Sequence, residues 1–226
     1  VDVAALGVTI PFGSVFYGES VRRAGTRPAP GERPTTPEAG RSFPASWNAV
    51  SAGYPQAMGL GLLQGRTFTE AESLRPGAPR VAIVNEALAR RLWPDGDALG
   101  QSIHIGDDPA PASLPPEAVE IVGIVSVLQD NLFSKEPGGA VYVPFAQGYR
   151  AGIYVHVRPR PGAPAGVIDR VRTQIQAAAP ALPLFGVTTY GAHLTSSIEF
   201  WGLKMLAAVV TFVGAFAAGI ALLGIY

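Results

Sequence analysis

RVAIVNEALARRLWP, residues 80–94, decides the class of fold. RVAIV is a short apolar run of the kind that forms a buried strand. Asn85 comes next, a side chain suited to accept a hydrogen bond from the free amides at a helix start. EALARRLW continues as a helix from Glu86 to Trp93, and Pro94 breaks it because the ring lacks an amide donor and clashes with the preceding turn. Asp95-Gly96 then makes a turn. A strand that feeds straight into a capped helix points to a mixed domain.

The same alternation extends in both directions. Residues 1–11, 15–23, 47–51, 101–105, 141–145, 153–158 and 184–189 read as strands, and 118–128 (AVEIVGIVSVL) is the strongest of them. Residues 54–59 read as a short helix closed by Gly59 in the left-handed cap conformation, and Gly65-Arg66 as a turn. Residues 165–178 predict an amphipathic helix, with Val167, Val171 and Ile175 on one face. Residues 190–198 lead helically onward. Two stretches, 26–44 and 107–116, are proline-rich; proline denies the backbone both ladder donors and helical geometry, so both read as exposed loops. Interspersed strands and helices without a long repeat give an α+β class, one or two sheets with helices packed on them.

The chain closes on LAAVVTFVGAFAAGIALLGIY, residues 206–226, which carries no charged side chain. A bilayer core about 30 Å thick needs roughly 20 mostly apolar residues in a helix. A buried core helix is the other reading, but it usually keeps a polar stripe, and this run is apolar all round apart from Thr211 and Tyr226. The expected organisation is a folded domain over residues 1–200 and a transmembrane helix over 201–226, with Lys204 at its polar edge. A chain that starts at Val1 and stops at the end of a span is expected to be a fragment of a longer membrane protein. No signal peptide pattern is visible.

Composition excludes several function classes. Formal net charge is zero, the only lysines are Lys135 and Lys204, and no basic block provides a nucleic-acid footprint. Cysteine is absent, which removes disulfides, thiolate metal sites and cysteine nucleophiles. No GxxxxGK[ST] run is present, and Gly59, Gly61 and Gly65 have the wrong spacing for a dinucleotide fingerprint. His104, His156 and His193 are scattered without converging partners, apart from Asp107 and Asp108 after His104; His156 reads as a strand residue facing solvent or a partner. Asp95-Gly-Asp97 lacks the alternating ligands of a calcium loop. Glu70 and Glu72 read as helix N-terminal charges. No GxSxG elbow or SxxK motif appears. The expectation is a non-catalytic chain without metal or cofactor.

Residues 50–68, VSAGYPQAMGLGLLQGRTF, resemble the extracytoplasmic domain of MacB-like ABC transporter permeases, whose pattern here is VSxxYFxxxGIxLLxGRxF; Pro55 stands where an aromatic is usual. Residues 81–103, VAIVNEALARRLWPDGDALGQSI, are similar to the family's VNExLARRxWP…dPiG segment, with Ala98 in place of Pro. Residues 119–125 (VEIVGIV) and 140–147 (AVYVPFAQ) match its next two segments in order. The resemblance covers roughly residues 45–226, and looks nearest to the duplicated permeases of acidobacteria and relatives. Its motif residues Gly59, Gly65, Arg66, Asn85, Glu86, Trp93, Pro94 and Gly100 read as scaffold.

The resemblance implies two small mixed α/β subdomains on the periplasmic side of the bacterial inner membrane, followed by a transmembrane helix. It also implies a cytoplasmic ABC ATPase subunit and a second permease half or copy as partners, with a periplasmic adaptor or substrate and membrane lipid as further contacts. ATP hydrolysis would reach the external domain by mechanotransmission, with residues 196–206 acting as a continuous helical stalk. Phe133, Ser134 and Lys135, in the segment 130–139, are candidate partner contacts, as is the proline-rich loop 26–44. A membrane-anchored sensor or binding ectodomain is the competing reading.

Overall fold

The computed structural model describes residues 2–13, 15–26, 33–106, 118–128, 137–163 and 166–224. In chain order these residues form β1 (Val3–Gly7), β2 (Gly18–Arg23), β3 (Phe43–Val50), α1 (Tyr54–Met58), β4 (Leu62–Gly65), α2 (Glu70–Leu74), β5 (Val81–Asn85) and α3 (Glu86–Leu92). Then come β6 (Ser102–Ile105), β7 (Val119–Val125), β8 (Gly139–Pro144), β9 (Tyr154–Arg158), α4 (Val167–Ala178), α5 (Tyr190–Ser196) and α6 (Ile198–Leu223). The mixed α/β class and the apolar C-terminal helix are both as read from the sequence. Two compact units result, Val1–Pro161 with all the strands and Gly162–Tyr226 with α4, α5 and α6.

In the first unit one mixed sheet runs β2-β6-β7-β5-β8-β3-β1-β9, with β4 on β7 and a further pairing of β2 with β3. That last pairing closes a circuit of six strands, β2-β6-β7-β5-β8-β3. The strands in it are apolar on alternate sides, as a period of two requires. Ala82 and Val84 of β5, with Val141 and Val143 of β8, join one core cluster, which also holds Trp47, Ile103, Ile121 and Leu88 and Leu92 of α3. Val81 and Ile83, with Ala140 and Tyr142, face the other way into a second cluster with Tyr54 and Phe68.

β3 carries most of the connectivity. It pairs in parallel with β8 along residues 45–50, while its other edge is shared, residues 43–46 with β2 and Val50 with β1. Where one neighbour gives way to the other, the Val8 amide donates to the Ala49 carbonyl at 3.2 Å, and the buried side chain of Asn48 adds further bonds. Its Oδ1 accepts from the amides of Val8 (3.0 Å) and Thr9 (3.1 Å), and its Nδ2 donates to the Thr9 carbonyl and the Tyr54 hydroxyl. Nothing in the sequence had marked Asn48.

Four sequence expectations are corrected. Residues 184–189 form no strand: Gly186 takes φ +60°, which kinks an extended segment, and Phe185 stands exposed. The third strand begins at Phe43 rather than Trp47, because β2 and β8 supply ladder partners from residue 43 onward. His156 is not solvent-facing; its ring lies edge-on to Tyr54 at 5.2 Å, and Nε2 is buried without a hydrogen-bond partner among the described residues. The helix expected to run unbroken through residues 196–206 is interrupted at Ser197, whose backbone is extended (ψ 150°) and whose hydroxyl accepts from the Phe200 amide. Serine competes for the backbone in this way, which is why it favours helix starts over helix interiors.

Asn48→Ala takes the acceptor from the Thr9 amide, leaves the Val8 amide only its 3.2 Å bond to the Ala49 carbonyl, and strips the Thr9 carbonyl and Tyr54 hydroxyl of a donor. A loss of about 2–3 kcal/mol is expected, read as a lower urea midpoint for the detergent-solubilised chain.

Candidate functional site

The motif residues among those described lie in the first unit, and the structure gives the polar ones their partners. Asn85 does more than cap α3. Its buried Oδ1 accepts from the amides of Leu88 (2.9 Å) and Ala140 (3.0 Å), and its Nδ2 donates to the Gly138 carbonyl (2.7 Å). One amide group thus ties the start of α3 to the entry of β8. Glu86 pairs with Arg90 one turn later at 3.1 Å, a partly exposed contact of little energetic weight. At the other end of α3, Trp93 takes the C-cap position and Pro94 follows it. The Arg23 guanidinium sits 5.1 Å from the Trp93 ring, its Nε donates to the Leu92 carbonyl at 2.6 Å, and it also reaches Glu38 at 2.8 Å. A cation on the last carbonyls completes the helix end. Arg23 comes from β2, far away in sequence, so no local pattern could reveal it.

Gly65 is not simply a turn. It ends β4 opposite Gly123 of β7 with φ +73°, and a Cβ there would lie 2.3 Å from the Val122 carbonyl oxygen. A Cβ on Gly123 would lie 2.2 Å from the Arg66 carbonyl oxygen, so the strands cross at a distance only two glycines allow. Arg66 then makes a two-pronged pair with Glu72, both contacts 2.8 Å. Glu72 also accepts from the Thr69 amide, and the Thr69 hydroxyl accepts from the Glu72 amide, a reciprocal cap for α2. The Arg66 guanidinium, aided by the Thr69 bonds, lowers the Glu72 carboxyl to about 2. Gly59 closes α1 with φ +73°, as expected, and Arg158 of β9 donates to the Gln56 carbonyl beside it at 2.9 Å. Gly100 has φ +76° and its amide donates to the Ile121 carbonyl, leading the chain into β6.

An open cleft of about 580 Å³ lies where β2, β3 and the start of β8 meet, lined among others by Phe16, Glu19, Ser20, Ser46, Arg91 and Gly138. Phe16 is 68 % exposed. Arg91 holds the Pro137 carbonyl at 3.1 Å, at the point where the chain returns from the candidate contact segment. Phe133, Ser134 and Lys135 themselves lie outside the described residues. So do 27–32 of the proline-rich loop, whose described remainder turns at residues 36–40 before β3. Among the described residues no three His, Asp or Glu side chains converge. Asp97 spends its carboxylate on the Leu99 amide in a local turn.

This arrangement is a scaffold with an open cleft, and its relatives say of what kind. The family described as "MacB-like periplasmic core domain" matches residues 6–178. The chain belongs to that family: it is a periplasmic-type domain of an ABC transporter permease, with one apolar helix at its C-terminal end. Among solved structures, the periplasmic region of MacB from Actinobacillus actinomycetemcomitans is similar over 79 % of this chain and 67 % of its own, with a TM-score of 0.50 at 15 % identity. The extracellular domain of the noncanonic ABC-type transporter YknZ from Gram-positive bacteria covers 80 % and 74 %, with a TM-score of 0.47 at 18 % identity. A domain of a putative permease protein from Porphyromonas gingivalis covers 79 % and 70 %, at 0.46 and 17 %. A search of curated proteins finds no match.

Two titrations separate by pH. Burial lowers His156 from 6.5 to about 4, so the unfolded chain binds this proton first, and the associated stability is full above pH 6.5 and lost as pH falls towards 4. Glu72, lowered from 4.5 to about 2, contributes above pH 4.5 and is lost below it. Denaturant midpoints between pH 7 and pH 3 are expected to show both limbs. His156→Leu removes the upper limb, and Glu72→Gln removes the lower one at a cost of about 1–2 kcal/mol at neutral pH.

Proposed function

We propose that residues 1–200 form the periplasmic domain, and residues 201–226 a transmembrane helix, of a bacterial inner-membrane ABC permease. The domain carries out non-catalytic mechanical work driven by ATP hydrolysis in a separate cytoplasmic subunit. The match over residues 6–178, on the same chain as an apolar helix over Phe200–Ala221 of mean hydropathy 2.0, carries this reading. A helix of that length and composition is long enough to span a bilayer. The permease works as a pair with a second half or copy; the segment with Phe133, Ser134 and Lys135 contacts a periplasmic adaptor or substrate, and the cleft rimmed by Phe16 and Arg91 is a further contact surface. An exposed aromatic beside an arginine is the composition of an interface hot spot.

The break at Ser197 alters how motion passes along the chain. Instead of one stiff rod, α6 is a capped helix joined to α5 through a single extended residue, so displacement of α6 is transmitted through a short joint. Lengthening that joint slackens it.

Two measurements test this. The chain has no cysteine, so exposed Arg75→Cys provides a single thiol. In intact cells, a reagent that crosses only the outer membrane is expected to label it; labelling only after lysis sinks the permease reading in favour of a cytoplasmic domain. Insertion of two glycines after Ser197 is expected to lower transport about tenfold or more while ATPase turnover persists. Unchanged transport overturns mechanical coupling through this joint.

A further inference from the structure

We infer that Phe200, Trp201 and Lys204 form a collar seated in the lipid headgroup layer, with the Lys204 ammonium against lipid phosphate and the hydrocarbon beginning only at Met205. The inference rests on α6 spanning the bilayer. The apolar helix Phe200–Ala221 contains one charge within its first turns, Lys204, and a bare ammonium at hydrocarbon depth is strongly disfavoured. The helix resolves this by side-chain direction. The Lys204 Nζ lies 5.5 Å from the centroid of the Phe200 ring, one turn nearer the N-terminus, so the stem runs back along the axis and carries the charge away from the apolar end.

Trp201 stands beside them, 58 % exposed. An indole combines a large apolar body with an N–H donor, and this combination favours the membrane–water boundary over either bulk phase. Length agrees with the placement. From Met205 to Leu223 the helix rises about 28 Å, close to a hydrocarbon core of about 30 Å. Starting the hydrocarbon at Phe200 instead would bury the charge. The anion abundant at the depth of the collar is the lipid phosphate, which is the partner an ammonium on an outward-facing stem fits. With the collar so placed, Ser197 lies about 12 Å beyond the hydrocarbon, outside the headgroup layer. The joint between α5 and α6 therefore falls outside the lipid.

Depth-dependent fluorescence quenching tests the collar. The full chain is reconstituted in vesicles of phosphatidylcholine and phosphatidylglycerol carrying a nitroxide either on the headgroup or near the acyl-chain end. Trp201 emission is taken as the difference between the chain and Trp201→Phe, which subtracts Trp47 and Trp93. The headgroup nitroxide is expected to quench this emission about twofold more than the deep one, and Lys204→Leu is expected to reverse the order as the helix sinks. Stronger quenching by the deep label with Lys204 in place overturns the collar and leaves the span intact. Absence of quenching by either label removes the span itself, and the collar with it.

Discussion

One side-chain amide holds the two halves of the strand circuit in register. Asn85 ends β5, starts α3 and fastens the entry of β8, and it does so with three hydrogen bonds on a side chain that is 1 % exposed. Two of the partners, the amides of Leu88 and Ala140, are buried, and a buried amide left unpaired costs about 1–3 kcal/mol. β8 in turn is the parallel neighbour of β3, and β3 distributes its other edge between β2 and β1. Remove the restraint at Asn85 and the geometry of α3, β8 and β3 loosens together. Asn48 performs a similar task on the other edge of β3, tying the residues after β1 to the strand between its two neighbours.

Charged groups in the first unit are placed to finish helices. Arg23 completes α3, Arg158 completes α1, and Arg66 with Glu72 completes α2. Arg23 and Arg158 come from distant parts of the chain, whereas Arg66 and Glu72 are six residues apart; all three helices need such help, since helices of five to seven residues gain little from their own hydrogen bonds. Polar chemistry is thus consumed by the scaffold, and the chemistry left at the surface is that of contact: an open cleft, Phe16, and arginine.

This division suits the mechanical role proposed for the domain. A closed circuit of strands with a core on each face resists deformation, because cores pack to the density of organic crystals and transmit strain. The second unit has the opposite character. Its helices are separated by extended residues at Thr189 and Ser197, both capped through a hydroxyl. Bending there leaves the helices themselves intact.

Sequence alone determined the element types wherever local chemistry is self-sufficient. The run at residues 81–85 could only be a buried strand, Asn85 could cap, Pro94 had to stop α3, Gly59 suited a left-handed cap, and an uncharged run at the C-terminal end could only be a membrane-length helix or a buried one. The ordered motifs from residue 50 onward identified the family through scaffold residues rather than a site. Tertiary structure decided what depends on partners distant in the chain. It packed half-buried His156 edge-on against Tyr54 and turned Gly65 from a turn residue into half of a glycine crossing with Gly123. It gave Trp93 its guanidinium and Asn85 its second strand, and it revealed Asn48, which no pattern announced. It also replaced an expected strand at 184–189 and an expected continuous helix at 196–206 with breaks at Gly186 and Ser197. The physical reason is the same in each case. Periodicity and caps act within one turn or one strand, whereas ladder pairing, close backbone approach and side-chain-to-carbonyl bonds are chosen among segments that only the fold brings together.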